Sequence, residues 1–119
     1  MIKYHYTENK KIIAELIDVN FVISQIQDAL DLMGNIGSHD CNRIIIHERN
    51  LHEDFFYLKT GFAGEILQKF SNYNVKLAII GDFLKYESKS LQDFIRESNK
   101  RNIISFVNNL DSALIRLKK

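Results

Sequence analysis

The stretch Phe55-Phe56-Tyr57-Leu58-Lys59-Thr60-Gly61-Phe62-Ala63-Gly64-Glu65-Ile66-Leu67 lies between two short apolar runs. Arg43-Ile44-Ile45-Ile46-His47 precedes it and Val75-Lys76-Leu77-Ala78-Ile79-Ile80 comes after it. Ile44-Ile45-Ile46 is an unbroken β-branched run, the pattern of a strand covered on both faces. From Phe62 the apolar spacing becomes helical, with Phe62, Ile66, Leu67 and Phe70 on the inner side and Glu65, Gln68 and Lys69 on the outer. Thr60 or Gly61 marks the start of that helix. A strand, a loop, a helix and a second strand in this order call for parallel pairing through a crossover.

The same logic extends outward. Ile2, Tyr4 and Tyr6 alternate with polar residues, as a half-buried strand does, and Thr7-Glu8-Asn9-Lys10 suits a hairpin turn into a second strand over 12–17. Asp18 or Asn20 is expected to cap a helix carrying Val22, Ile26, Ala29, Leu30 and Met33, with Gly34 and Gly37 ending it. Downstream, Ser90 with Asp93 has the form of a capping box for a helix carrying Leu91, Phe94 and Ile95. Residues 103–107 read as a last strand, and Asn109 or Asp111 is placed to cap a closing helix with Leu110, Ala113, Leu114 and Leu117 on one face. The expected fold is α/β: one domain over residues 1–119, a mixed and mostly parallel five-stranded sheet with about four helices, in the order ββαβαβαβα.

Composition narrows the function classes. The 119 residues suffice for one buried core, and 45% apolar with 26% charged residues is an ordinary globular balance. Sixteen Lys and Arg against fifteen Asp and Glu give a net charge of +1, so neither nucleic acid nor an anionic membrane is expected as a partner. The single cysteine, Cys41, fits a reducing cytoplasm, and no apolar run is long enough to span a bilayer.

The element order and lengths resemble the STAS domain, the fold of bacterial anti-sigma-factor antagonists and of sulfate-transporter C-terminal domains. Phe55 to Phe62 stands where STAS antagonists carry an apolar pair, then Asp-Ser-Ser-Gly, then an apolar residue. More specifically, Leu58 to Phe70, Leu77-Ala78-Ile79-Ile80-Gly81-Asp82-Phe83 and Ser88-Lys89-Ser90-Leu91 are similar to a bacterial STAS-like family, domain of unknown function 4180. The resemblance implies a non-catalytic, regulatory protein-interaction module whose partner is another protein or its own copy. Aligned on Gly61, Lys59 replaces the serine that a kinase phosphorylates in the antagonists, and Leu58 replaces the preceding acid. Thr60 is the one hydroxyl left there as a phosphorylation candidate.

These placements define the candidate sites. Lys59, Thr60 and Gly61 at a helix start could hold a small anion or nucleotide together with the Asp82 loop, or could simply cap and solvate the helix. His47, Glu48 and Asn50 after one parallel strand, and Gly81, Asp82 and Tyr86 after the next, fall at the sheet edge where α/β proteins bind ligands. There they could meet Lys59, Lys89 and Arg96, with Asp82–Lys59 and Glu48–Arg96 as possible ion pairs. Phe55, Phe56 and Tyr57 are consecutive and cannot all face a core, which makes them candidates for an exposed partner surface. His47 with Glu48 is the one acid/base pair worth nominating, although neighbours on a strand point apart. His39 with Cys41, and His47 with His52, lack the four-ligand pattern of a structural zinc site, so no metal, cofactor or enzymatic activity is expected.

Overall fold

The computed structural model describes residues Met1–Lys119. Its elements are β1 (Ile2–Tyr6), β2 (Ile12–Leu16), α1 (Ile26–Gly37), β3 (Arg43–His47), α2 (Phe62–Asn72), β4 (Lys76–Ile80), α3 (Lys89–Arg101), β5 (Ile104–Val107) and α4 (Leu110–Leu117). The five strands form one sheet in the order β1-β2-β3-β4-β5. β1 runs antiparallel to β2, and all later pairs are parallel. The fold class and element order are those expected from the sequence.

Alternation along the strands divides the core in two. Ala14, Leu16, Ile44, Ile46, Leu77, Ile79, Ile104 and Phe106 pack under α1, α2 and α3 in the larger core. Ile13, Ile45 and Ala78 point to the other face, where Ala113 and Leu117 of α4 cover them. The run Ile44-Ile45-Ile46 is β-branched throughout because its residues serve both cores in turn, and each fully buried side chain contributes roughly 2–3 kcal/mol. Arg43, almost wholly buried, donates from Nε to the Leu117 carbonyl at 2.6 Å and ties the end of α4 to β3.

Three local expectations are corrected. Neither Asp18 nor Asn20 opens α1: Asp18 accepts from the Asn20 N–H within a loop, Val22 is exposed, and the helix begins at Ile26. The Asp28 carboxylate holds that start, accepting from the Ser24 and Gln25 N–H groups at 3.0 and 3.2 Å. Gly34 sits inside α1, and neither it nor Gly37 has a positive φ; the left-handed residue after the helix is Asp40. α3 is capped by Ser88 rather than Ser90, its Oγ accepting from Leu91 N–H at 3.2 Å. Asn109 caps α4 as expected, accepting from Ser112 N–H at 2.8 Å.

Because β2 to β5 are parallel, every strand-to-helix connection emerges at one end of the sheet, here the carboxyl pole. Strand order matches chain order, so the crossovers never reverse direction. The reversal point that places ligands in doubly wound sheets is therefore absent.

Candidate functional site

The segments after β3 and β4 shape the carboxyl pole. Beyond His47 the chain makes three successive 3₁₀ turns, 48–50, 53–56 and 58–60, before α2. Asn50, fully buried, organises the first. Its Oδ1 accepts from His47 N–H at 2.9 Å, and its Nδ2 donates to the carbonyls of Asp18 and Phe21 at 3.0 and 2.8 Å. Its carbonyl accepts from Ile23 N–H at 2.7 Å, and His52 N–H returns to the Ile23 carbonyl at 3.0 Å. One amide side chain thus staples the β2–α1 loop to the end of β3.

Glu48 plays the matching role between β3 and β4. It accepts from the Tyr86 hydroxyl, from Lys85 Nζ at 2.7 Å and from the Asp82 N–H at 3.3 Å. Burial alone would raise its pKa, but the hydrogen bonds from Lys85 and Tyr86 and the Lys85 charge outweigh burial and hold it below the ordinary carboxylate value. Tyr86 is pushed well above the ordinary phenol value by burial and by the same carboxylate. Its ring stacks on Phe56 at 5.0 Å with an interplanar angle of 10°. Gly81 lets Glu48 come this close, since a Cβ there would lie 2.7 Å from the carboxylate oxygen.

The expected site residues separate. Thr60 Oγ1 lies 2.8 and 2.9 Å from the carbonyls of Asp54 and Tyr57 and accepts from Phe62 N–H at 3.2 Å, so its hydroxyl closes the turn ahead of α2. Gly61 adopts φ 78°, which only glycine takes without strain, and precedes Phe62 at the start of α2. The exposed aromatic surface is corrected: Phe55 is fully buried and Phe56 nearly so, because the turn at 53–56 rotates both inward, and only Tyr57 faces solvent. Neither expected ion pair is present. Glu48 takes Lys85 instead, Arg96 takes Asp93 at 2.8 Å, and Lys59 has no carboxylate partner within 4.0 Å. Asp82 lines a recess with Phe83, Leu84 and Gln92, apart from Lys59 and Thr60.

The nominated acid/base pair also points apart. Glu48 is committed to Lys85 and Tyr86, whereas His47 Nε2 lies 3.9 Å from Glu15, whose other oxygen meets His5 Nε2 at 2.8 Å. Burial, then the nearby Arg49 charge, lower the His47 pKa despite Glu15. His52 faces Asp54 rather than His47. The Cys41 thiol is buried, 3.1 Å from the Arg43 carbonyl and 3.3 Å from that of Ile12.

Two features remain at this pole. One is an open groove of about 870 Å³ between the β3–α2 and β4–α3 connections, lined by Phe56, Tyr57, Lys59, Lys85, Ser88 and Leu91 among others. The other is a set of exposed apolar side chains in the connections at this end of the sheet. Met1 is bonded to the end of β2 through the Ile17 N–H. Ile17, Val19 and Val22 come after β2, Tyr57 after β3, and Leu84, 92% exposed, after β4. Lys85, Leu84 and the His5–Glu15 pair escaped sequence reasoning. Strand parity could have flagged His5 and Glu15, which share one face of the hairpin. Nothing local marks Leu84 as uncovered.

A family model described as Domain of unknown function (DUF4180) matches residues 8–117. No curated protein and no solved structure matches the chain. No helix is long and apolar enough to cross a membrane.

Proposed function

We propose that this chain, which belongs to the DUF4180 family, is a protein-binding regulatory module that engages its partner with the carboxyl pole of the sheet. The observation that carries this reading is the apolar set of Met1, Ile17, Val19, Val22, Tyr57 and Leu84. Most exposed large apolar residues of the chain fall at this one pole, and clustered apolar exposure is the mark of an interaction surface. Asn50, and Glu48 with Tyr86, also tie the loops of this pole together, which lowers the ordering cost of binding.

The element order and the 58–61 connection at the start of α2 favour a STAS-like reading, with the regulatory role in a bacterial cytoplasm that this resemblance implies. The reading does not depend on phosphorylation of Thr60. Lys59 occupies the phosphoserine position, and the Thr60 hydroxyl is engaged by two carbonyls. A chemical step is equally unnecessary, since Glu48 and His47 each serve a structural contact.

The test uses the chain and a Tyr57→Ser/Leu84→Asp variant as parallel baits, with sedimentation of each to detect self-association. Both side chains are exposed, so stability should change by less than about 0.5 kcal/mol. The expected result is a partner, or a second copy, retained by the natural chain and lost by the variant. Equal capture by both removes this surface from consideration.

A second reading rests on the groove. Lys59 has no carboxylate within 4.0 Å and lies near the start of α3, which makes a small anion or nucleotide the alternative occupant, although Glu53 and Glu87 line the same groove and oppose it. Melting temperature in rising orthophosphate and nucleotide should then climb with concentration and stay flat in a Lys59→Glu variant.

A further inference from the structure

The net charge of +1 conceals an uneven arrangement. The opposite end of the sheet, the amino pole, gathers the β1–β2 turn, the starts of β2 to β5 and the C-terminal ends of all four helices. Lys10, Lys11, Arg43, Lys76, Lys118 and Lys119 lie there, with Lys100 and Arg101 at the end of α3, against Glu8, Asp40 and Glu97 in the same segments. Among these cations only Lys100 has a carboxylate within 4.0 Å, Glu97 at 3.7 Å. The remaining ion pairs belong to the carboxyl half, such as Lys85–Glu48 and Arg96–Asp93.

Helix dipoles account for part of this. Each helix end carries roughly half a negative charge, so four ends balance about two cations. Arg43 serves one of those ends by donating to the Leu117 carbonyl. The others exceed that need. Register sets Arg43 beside Lys76, and strand parity puts Lys11 on the same face two residues before Ile13. Asn9 Nδ2 donates to the Lys118 carbonyl at 2.9 Å, which brings the hairpin tip and its lysines to the end of α4.

Exposed aromatic rings share this pole. Tyr6 is 77% and Tyr73 61% exposed, at the end of β1 and the end of α2. Tyr73 borders a mainly apolar cleft of about 340 Å³ between α1 and α2, with Leu30, Met33 and Val75. Gly34 and Gly37 line it too, and a Cβ built on either meets no atom within 4 Å.

We propose that the amino pole binds single-stranded nucleic acid that wraps the end of the sheet, its phosphates along Lys11, Lys76 and Lys118 on the α4 side and a base against Tyr73 at the cleft on the α1–α2 side. Unpaired cations together with exposed aromatic faces are what strand-tracking surfaces use. A paired duplex offers no free base for the cleft, and a flat lipid surface has no use for it. A second copy is a poorer occupant. Head-to-tail contact between copies, basic pole against carboxyl pole, need not close into a finite assembly.

The test is fluorescence anisotropy of the full chain with labelled oligouridylate of about 20 nucleotides, the matching duplex, and vesicles containing phosphatidylserine. With roughly four phosphates contacted, single-strand affinity should fall about fifty-fold between about 50 and about 200 mM salt. Lys11→Glu/Lys76→Glu should weaken it at least about tenfold, Tyr73→Ala about fivefold or more, and Lys3→Glu at the far pole hardly at all. Circular dichroism of each variant separates lost binding from lost folding. Four results overturn the proposal: no binding at the lower salt, equal loss with Lys3→Glu, duplex binding indifferent to Tyr73→Ala, or binding to vesicles alone. None of these touches the carboxyl-pole reading.

Discussion

Asn50 shows how much one buried polar side chain can organise. Itself fully buried, it satisfies three backbone groups from two loops, and removing it takes away a partner from each and leaves a void. Asn50→Ala should therefore cost about 2–4 kcal/mol in urea unfolding, more than most single substitutions. Gly81 is constrained in another way. A methyl group there meets Glu48 Oε1 at 2.7 Å, Glu48 Cβ at 2.8 Å and Phe83 at 2.9 Å. Gly81→Ala is expected to destabilise by about 1–3 kcal/mol, read as a lower urea midpoint with unchanged slope. On the acid side, the pH dependence of the half-buried sites comes from Glu48 and His47, both with lowered pKa values, while Asp93, also lowered, has a solvated side chain. Each then takes up its proton more readily in the unfolded chain than in the native one. Their contributions are complete above the ordinary values of 6.5 for His47 and 4.5 for Glu48 and fade as pH falls through the native values. Stability should decline in two stages on acidification. His47→Gln should flatten the first stage and Glu48→Gln the second. Sequence reasoning placed Asn50 and Glu48 at the right sheet edge by counting from the strand. Their partners come from residues 18–23 and 82–86 and have no local signature.

At the scale of elements, apolar periodicity located every helix and strand, while the caps were harder to assign. The sequence pointed to Asp18 or Asn20 as the start of α1, whereas the structure uses Asp28. Only Asp28 lies inside the helix where its carboxylate can reach back to Ser24 and Gln25. The loop before α1 stays irregular because Ile23 pairs with Leu51 across the pole, a tertiary bond that overrides helical spacing. The sequence also placed two glycines where a helix end was expected, yet Gly34 is an interior helical residue with open space at its Cβ. Gly34→Ala should raise stability by about 0.5–1 kcal/mol, since alanine loses less backbone entropy and meets nothing. In α2, by contrast, the left-handed Gly61 is required, and Thr60 and Gly61 form the helix start that the sequence suggests.

For the whole molecule, the decisive feature is a sheet whose strand order repeats chain order. It puts three helices on one face and leaves α4 to cover the other. The smaller core depends on few residues, so Leu117→Ala should cost about 2–5 kcal/mol. Unfolding should still be one cooperative transition, because Ile44, Ile45 and Ile46 join the two cores through one strand; two resolved transitions by circular dichroism and fluorescence would contradict this. The same topology sends all four helices one way and so creates two unlike poles, one apolar and acidic, the other basic and aromatic. Net charge, a sum over the chain, contains no trace of that polarity.

The sequence alone dictates the class of fold, the order of elements and the strand faces, because these arise from periodicities of two and 3.6 residues carried within each segment. It also brings the 58–61 connection to the head of α2. Tertiary packing turns Phe55 and Phe56 inward and gives Glu48 to Lys85 and Tyr86 rather than to Arg96. It alone leaves Leu84 uncovered and collects the lysines at one pole. These outcomes depend on which distant segments arrive beside a given side chain, and that is settled by packing across the sheet rather than by any property of the segment alone.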